Sequence, residues 1–415
     1  MFGNYIYDAE GSSQPQNQNS MNKDFFISDT INLSNNKNDS VYGQISYSND
    51  SHLYLTWQDS AVSKLVFDDP LSRNYEIYFK QIDFDNLNKT SHIDISNNTG
   101  FSEHPQIHST NENVYIAWVD DSGGNKQVLF RATNNDGESF HDTLELSPND
   151  YNASNVELSA SENNVYVVWQ QKNADQSNIM LATSHDHGKT FDTAKAIYNF
   201  SSNSYPKIFS DDNNVFISWN IDDPITKTYS LNSGNNDNPG MFFIKSSDYG
   251  NTFTPPIKLN TGNTFGYGES QITNAGNYTY VVWVQKNSLN DFNRLYVAKS
   301  FGNGLDFLVN EIPLDNKKLV NPSNVDIFSY DDDLLIAFQA SEVKDSLSEE
   351  NEEIFFLATN YSSNNKNEEV YNISSNNGFS ECPSISVDLL KNTISISWED
   401  RTLGNHEIFL KNLTF

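Results

Sequence analysis

Residues 184–191, SHDHGKTF, place His185, Asp186 and His187 next to one another. Imidazole and carboxylate groups bind zinc and similar divalent ions, so this trio could hold a metal. Two histidines on a short exposed segment would still lack a third, fixed protein ligand. The alternative is a tight turn, in which backbone geometry decides where Asp and Gly occur. The remainder of the chain favours the turn.

The 415-residue chain has 55 acidic and 25 basic residues, a formal net charge of −30. A surface this negative repels nucleic acids and anionic membranes, so we expect neither as a partner. Cys382 is the only cysteine, which excludes an intrachain disulfide and a cysteine-based zinc cluster. We expect no membrane span, because no run of about 18 apolar residues occurs. No signal segment is visible, so either the protein is cytosolic or its signal lies outside the given sequence.

A short apolar segment that ends in an aromatic residue occurs seven times, at spacings of 50 to 64 residues. Its last residues are Trp57, Trp118, Trp169, Trp219, Trp283, Phe338 and Trp398. The β-branched and aromatic composition favours strands. A shorter strand precedes each copy, a third follows after a turn, and a fourth follows in most units. Seven such units predict an all-β fold, a seven-bladed β-propeller of four-stranded antiparallel blades.

The seventh unit lacks a fourth strand, because the chain ends after the third strand at 407–413. Residues 25–34, FFISDTINLS, resemble residues 139–147, which contain the fourth strand of the second unit. We expect 25–34 to close the ring beside 407–413, which would leave no exposed sheet edge. Residues 1–24 are then a disordered lead-in, and 25–415 form a single propeller domain.

The opening segment shares the pattern S-x-D-x-G-x-T-F with residues 246–253. The two histidines fall on variable positions, whereas the fixed positions are Asp186, Gly188, Phe191, Asp248, Gly250 and Phe253. This pattern resembles the Asp-box, or bacterial neuraminidase repeat, of the sialidase superfamily of β-propellers. Asp can accept hydrogen bonds from backbone groups of its own turn, and Gly permits a positive φ. We therefore expect a structural hairpin between third and fourth strands, with the phenylalanine restarting the fourth strand.

The resemblance implies a sialidase only if the catalytic groups of that family are present. Sialidases of this family have six blades, three arginines that bind the substrate carboxylate, a Tyr–Glu nucleophile pair, an Asp acid/base and an Arg-Ile-Pro motif. This chain has seven units, no Arg-Ile-Pro, and only four arginines, Arg73, Arg131, Arg294 and Arg401. No position matches the catalytic set, so we assign no catalytic residue and expect no sialidase activity.

One mouth of the central channel should be lined by loops that enter the first strands. Alignment on Pro105 and Pro383 places Glu103 and Glu381 in equivalent positions. The next position around the ring reads Tyr42, His104, Asn155, Tyr205, Glu269, Asn324 and Cys382. From these rings we predict a ligand site formed by Glu103, His104, Tyr205, Glu269 and Glu381. Carboxylates and tyrosines suit a polyhydroxyl group such as a sugar, or a cation such as calcium.

Three aspartates, Asp59, Asp120 and Asp400, lie two residues after tryptophans on the same face. They either bind a ligand or cap their own turns. At the level of function, three hypotheses stand: a non-catalytic binding module for a glycan or surface protein, a glycosidase that uses two carboxylates, and a scaffold without a small-molecule site. We favour the module. We expect it to be extracellular or at the cell surface, as propellers with this repeat usually are.

Overall fold

The computed structural model describes residues 25–61, 74–84, 91–172, 176–200, 203–221, 240–260, 266–286, 291–302, 305–314, 318–330, 333–343, 351–360 and 369–415. The predicted lead-in at 1–24 lies outside these ranges. Regular structure within them consists of strands. None of it forms a helix long and apolar enough to cross a membrane.

The strands form seven antiparallel sheets, called blades here. Blade 1 contains β3 (Ser40–Tyr47), β4 (Leu53–Ala61), β5 (Asn74–Ile82) and β6 (Ile93–Asp94). Blade 2 contains β7 (Ser102–Thr110), β8 (Asn113–Asp120), β9 (Gln127–Thr133) and β10 (Leu144–Glu145). Blade 3 contains β11 (Asn152–Ser161), β12 (Asn164–Lys172), β13 (Ser177–Ser184) and β14 (Lys195–Phe200). Blade 4 contains β15 (Lys207–Asp211), β16 (Asn214–Ile221), β17 (Gly240–Ser246) and β18 (Ile257–Lys258).

Blade 5 contains β19 (Gly266–Ala275), β20 (Tyr278–Lys286), β21 (Asn293–Phe301) and β22 (Phe307–Ile312). Blade 6 contains β23 (Leu319–Tyr330), β24 (Asp333–Glu342), β25 (Glu352–Asn360) and β26 (Val370–Asn372). Blade 7 contains β27 (Ser380–Asp388), β28 (Thr393–Asp400) and β29 (Glu407–Thr414), and two N-terminal strands complete it, β1 (Phe26–Ile27) and β2 (Ile31–Asn32). The predicted seven-bladed, all-β propeller is confirmed.

The N-terminal strands pair with the last strand of the chain, as predicted. Phe26 lies opposite Thr414, and Ile31 lies opposite Leu410. The closing segment is two short strands rather than one, with Ser28 between them donating its backbone N–H to Asn412 O at 2.9 Å. Each blade's first strand contacts the next, and β27 contacts β3, so the ring is closed.

The hydrophobic core lies between blades rather than within them. In the described residues, each of the seven interfaces between neighbouring blades has its own buried cluster. The aromatic residues of the repeat belong to these clusters, and Trp118, Trp169 and Trp283 have no measurable exposure. Because a strand alternates its side chains, the apolar run of each second strand covers both neighbouring blades.

The fourth strands of blades 2 and 4, β10 and β18, have only two residues each, fewer than the segments LELS at 144–147 and IKLN at 257–260 that the repeat predicts as strands. Side chains replace part of the ladder: Val128 N donates to Ser147 Oγ at 2.8 Å, and Met241 N donates to Asn260 Oδ1 at 2.9 Å. Phe191 and Phe253 also lie four residues before β14 and β18, so they do not restart these strands. Phe191 instead packs edge-on against Phe130 of the preceding blade, with ring centroids 4.9 Å apart.

Candidate binding site at the channel mouth

The first strands carry a β-bulge near the end at which they start. Their register shifts in blades 1, 2, 3, 5, 6 and 7. Five of the seven predicted ring positions have a φ between 44° and 54°, namely Tyr42, His104, Asn155, Asn324 and Cys382. Residues other than glycine rarely adopt this conformation, and bulges of this kind redirect side chains. The same bulge therefore recurs around the mouth. The simple alternation of side chains along a strand does not predict it.

In blades 1 and 7, the side chain that follows the aromatic repeat residue accepts a hydrogen bond from the bulge of the next blade. His104 N donates to Gln58 Oε1 at 3.2 Å, across the boundary between blades 2 and 1. Tyr42 N donates to Glu399 Oε1 across the boundary between blades 1 and 7. These long-range hydrogen bonds stabilise the positive φ, since strained residues persist only where their surroundings fix them. This role was not predicted, although Gln, Asn or Glu follows the aromatic residue in five of the seven units.

Tyr42 and His104 form the aromatic part of the mouth. Their ring centroids lie 4.4 Å apart, and both side chains are exposed to solvent. Burial within the ring, followed by the charges of Cys382 and Glu399, raises the pKa of Tyr42 to about 12. Burial also lowers the pKa of His104 and outweighs the nearby carboxylate of Glu103. Both rings are consequently neutral near pH 7 and can exchange hydrogen bonds with a neutral ligand.

Glu103 and Glu269 lie close enough to this pair to influence it electrostatically. Glu103 forms an ion pair with Lys126, and its Oε1 lies 3.9 Å from Nδ1 of His104. Glu269 of blade 5 is close enough for its charge to act on the pKa of both Tyr42 and His104. Of the five predicted ligand residues, the structure places Glu103 beside His104 and brings Glu269 within electrostatic range of His104.

The other two predicted residues have different hydrogen-bond partners. Tyr205 precedes β15, is half-buried, and donates its backbone N–H to Asn220 Oδ1 at 3.0 Å. Glu381 in blade 7 accepts a 2.9 Å hydrogen bond from Arg401. A group of three potential metal ligands lies here, formed by Glu381, Glu399 and His406, whose donor atoms are all within 4.8 Å of one another. It is the one such group among the described residues.

Charged side chains also line the channel below the mouth. Lys207 Nζ forms an ion pair with Glu157 of the neighbouring blade. Burial lowers the pKa of Lys207, but the charges of Glu157 and Glu269 outweigh burial, and the net shift is upward. Burial raises the pKa of Asp326 to about 7, although it accepts backbone hydrogen bonds from Ile327 and Ile385. The ammonium group of Lys207 is therefore neutralised by carboxylates of the channel.

The three aspartates that follow the tryptophans are structural. Asp120 accepts hydrogen bonds from Trp118 Nε1 at 3.2 Å, Asn98 Nδ2 at 2.7 Å, Ser102 Oγ at 2.7 Å and Ser122 N at 2.9 Å. Burial alone would raise its pKa, but these donors outweigh burial and lower it. Asp59 and Asp400 accept the same kinds of bond from Trp57 and Trp398. With their oxygens used in this way, they do not form a ligand site.

A second repeat supplies the donors to these aspartates, and sequence analysis missed it. Residues 33–40, 95–102 and 373–380 share the pattern I/L-S-x-N-x-x-x-S. The Asn of each copy, Asn36, Asn98 or Asn376, donates to the aspartate of the following blade. The final serine donates to the same carboxylate. Reading the three segments against one another would have revealed this link between blades.

The two S-x-D-x-G-x-T-F segments form matching turns. Thr190 N donates to Asp186 Oδ1 at 2.9 Å, and Thr252 N donates to Asp248 Oδ1 at 2.8 Å. Gly188 and Gly250 have φ values of +73° and +78°. Hydrogen bonds from the Thr252 side chain and backbone lower the pKa of Asp248 to about 2.

The histidines of the opening segment contact different neighbours. His185 Nδ1 lies 2.6 Å from Asn164 Oδ1, and His187 Nδ1 lies 3.4 Å from the Tyr115 hydroxyl. Both oxygens of Asp186 accept hydrogen bonds from Thr190. This arrangement favours the turn over a metal trio.

The described arginines do not converge. Arg131 donates to the carbonyl groups of His141, Ile95 and Phe140 in blades 1 and 2. Arg294 in blade 5 pairs with Glu311 and Asp291, and Arg401 in blade 7 pairs with Glu381. Arg73 lies outside the described residues.

A further cleft, between blades 7 and 1, lies on the same face as the mouth but further from the axis. It has a volume of 360 Å³ and is lined by amide and aromatic side chains, including Asn35, Trp57 and His92. Trp57 itself is 2% exposed, so the cleft presents mainly polar groups.

Comparison with known proteins finds relatives in structure but not in sequence. No protein-family model matches the chain, and no curated protein matches it. A protein of unknown function from Dyadobacter fermentans DSM 18053 has a TM-score of 0.55 at 10% identity, over 94% of this chain and 99% of that one. A polysaccharide lyase that acts as an ulvan lyase has a TM-score of 0.54 at 9% identity, over 92% and 95%. These likenesses concern the fold alone.

A sialidase of Trypanosoma rangeli has a TM-score of 0.48 at 10% identity, over 78% of this chain and 56% of that one. This chain therefore spans little more than half the length of the sialidase. At that level of similarity the match adds nothing about the site.

Proposed function

We propose that this chain is a non-catalytic, sialidase-like propeller that binds a glycan at the channel mouth, outside the cell or at its surface. The observation that carries the proposal is the ring of positive-φ residues that brings Tyr42 and His104 into contact beside carboxylates. Backbone strain of this kind costs on the order of 1–3 kcal/mol per residue and clusters at ligand sites. Its repetition around one mouth favours a ligand there over a plain scaffold.

The chemistry of the mouth suits a polyhydroxyl ligand. An aromatic ring offers a large apolar face with a polar edge, which matches the two kinds of surface on a sugar ring. Glu103 and Glu269 can accept hydrogen bonds from sugar hydroxyls, and neutral His104 can donate or accept one. Calcium at the same carboxylates remains an alternative ligand.

The Asp-box assignment belongs to this proposal. The matching turns around Asp186 and Asp248 support it, as do their Gly residues with positive φ. In the sialidase superfamily these boxes are structural, and we infer the same role here. Secretion or surface display follows from this resemblance, and finding an export signal upstream in the gene would test it.

A glycan array probed with the full chain tests the proposal, followed by titration of the strongest binder. Tyr42→Ala and His104→Ala should weaken binding at least tenfold. The chain offers matched controls at the other end of the blades: Tyr249 has a φ of 60° and 37% exposure, against 53° and 38% for Tyr42. His187, with a φ of 59°, is the control for His104. Absence of any glycan binder, or equal loss in the controls, would contradict the proposal.

The alternative is a glycosidase that uses two carboxylates. Glu103 and Glu269 favour it, because both act on the same imidazole at the mouth. Turnover of fluorogenic glycosides separates the two hypotheses: we expect none, for sialosides included. Turnover that Glu103→Gln or Glu269→Gln abolishes would establish the glycosidase instead.

A further inference from the structure

Blade 7 holds two glutamates directly opposite one another at the mouth. Glu381 of β27 and Glu399 of β28 are register partners in the antiparallel pair. Like charges in this position destabilise a sheet. Glu399 is only 4% exposed, and burial raises its pKa. An arrangement of this kind calls for a cation between the strands.

The cationic side chains nearby neutralise this pair of glutamates only in part. Arg401 reaches Glu381, but its side chain is half exposed, and the structure gives it no bond to Glu399. His406, just before β29, lies with Nδ1 3.6 Å from Oε2 of Glu399. This nitrogen is buried and has no hydrogen-bond partner. A separation of 3.6 Å is long for a hydrogen bond but is close to the distance between two donor atoms on one tetrahedral zinc ion, about 3.4 Å.

Blade 2 shows the same position filled by the protein itself. Residues 118–125 and 398–405 share the pattern W-x-D-x-x-x-G-N, and the next residue is Lys126 in blade 2 and His406 in blade 7. Glu103 is likewise the counterpart of Glu381. Lys126 Nζ forms an ion pair with Glu103, and Val119 takes the place of Glu399. Blade 7 thus replaces the ammonium group with an imidazole and adds a second carboxylate. Both changes turn an ion pair into a set of metal ligands.

We propose that Glu381, Glu399 and His406 bind one divalent transition-metal ion such as zinc. Two carboxylates and an imidazole suit zinc, and three protein ligands leave one position for water. Donor atoms around a tetrahedral zinc ion lie about 3.4 Å apart when its bonds are about 2.1 Å long. His406 Nδ1 and Glu399 Oε2 are already 3.6 Å apart, and all three donor atoms lie within 4.8 Å of one another, so binding requires the side chains to move together by about 1 Å. Calcium prefers oxygen ligands throughout, so the imidazole disfavours it.

The site is tested by titrating the chelator-treated, full-length protein with zinc chloride in a calorimeter. We expect one equivalent to bind, and millimolar calcium not to compete. His406→Lys restores the blade 2 arrangement and should weaken zinc binding at least about 100-fold, because loss of even an outer-shell partner costs about 10–100-fold. Glu399→Gln keeps the shape of the side chain and should also weaken binding.

The pair His185→Ala and His187→Ala is the control for adventitious binding and should leave the stoichiometry at one. Circular dichroism shows whether each variant is folded. A folded wild-type chain that binds no zinc would overturn the proposal and leave a proton shared by the two glutamates. Binding that His406→Lys and Glu399→Gln leave unchanged would overturn it as well. Neither result depends on glycan binding, which the array measures separately.

Discussion

At the scale of residues, the aspartates near the mouth differ from the ring residues in how far their side chains are already hydrogen-bonded within the protein. Asp120 is 1% exposed and surrounded by donors from its own blade and from the preceding loop. The side chains of the ring residues Tyr42 and His104 are exposed to solvent. Proximity to the channel therefore does not identify a ligand residue, whereas unused hydrogen-bonding capacity does.

Asp120→Ala should destabilise the fold by about 2–4 kcal/mol, because it leaves the Trp118 indole and the Asn98 amide without their acceptor. Chemical denaturation followed by tryptophan fluorescence measures the change. Asp150→Ala, at an exposed position, is the control and should have little effect. Equal stabilities of the two variants would show that the Asp120 hydrogen bonds contribute nothing net.

Asp248→Ala should lower the melting temperature, because the turn amide of Thr252 and its hydroxyl lose their acceptor. The double variant His185→Ala and His187→Ala should change neither metal content nor, appreciably, stability. Differential scanning calorimetry and elemental analysis measure both properties. Loss of a bound metal in the histidine variant would restore the metal interpretation of the opening segment.

At the residue level, sequence can predict geometry where a local pattern fixes it. The turn around Asp248 follows from the order of Asp, Gly and Thr within eight positions. The contact between Tyr42 and His104, and the bond from Tyr42 to Glu399, join residues 62 and 357 positions apart. No periodic pattern encodes such pairs, because they depend on which blades meet and on the bulge that redirects each side chain.

At the scale of elements, the closing strands β1 and β2 form an irregular part of the ring. They were predicted because the seventh unit of the repeat lacks a fourth strand. The sequence predicted one strand over 25–34, and Ser28, Asp29 and Thr30 divide it into β1 and β2. Leu33 is nevertheless 1% exposed and packs with Ile408 and Leu410. The closure is therefore a hydrophobic contact as well as a pair of ladders.

Deletion of residues 1–34 should lower the melting temperature by more than about 5 °C and broaden the transition, because it exposes the edge of β29 and part of a core cluster. Deletion of residues 1–24 retains β1 and β2 and is the matched control. Circular dichroism melts of both proteins give the result. If the two truncations melted alike, closure by β1 and β2 would not stabilise the ring.

At the scale of the whole molecule, the formal charge of −30 and several buried carboxyl groups both lower the free energy of unfolding as pH rises. Burial raises the pKa of Glu76 and of Asp326 to about 7. In the unfolded chain these groups titrate near 4.5 and 3.8. Between those values and pH 7 the native state binds more protons than the unfolded state, so the free energy of unfolding falls as pH rises through this window.

Buried His108, whose pKa burial lowers to about 4, opposes this trend by about 1 kcal/mol, because its imidazole binds a proton more readily in the unfolded chain. The two carboxyl groups outweigh it, so thermal unfolding should show greater stability at pH 5.5 than at pH 7.5, by on the order of 2 kcal/mol. The double variant Glu76→Gln and Asp326→Asn should reduce the difference, leaving general charge repulsion and the opposing contribution of His108. A wild-type protein that gains stability from pH 5.5 to pH 7.5 would contradict the raised pKa values.

The location of a bound glycan decides whether the channel mouth is the binding site. A crystal structure of the full chain with the strongest binder from the array would show it. We expect a sugar ring against Tyr42 and His104, with hydroxyl groups within hydrogen-bond distance of Glu103 or Glu269. A glycan bound instead in the outer cleft beside Asn35 and His92, with the mouth empty, would rule out binding at the mouth.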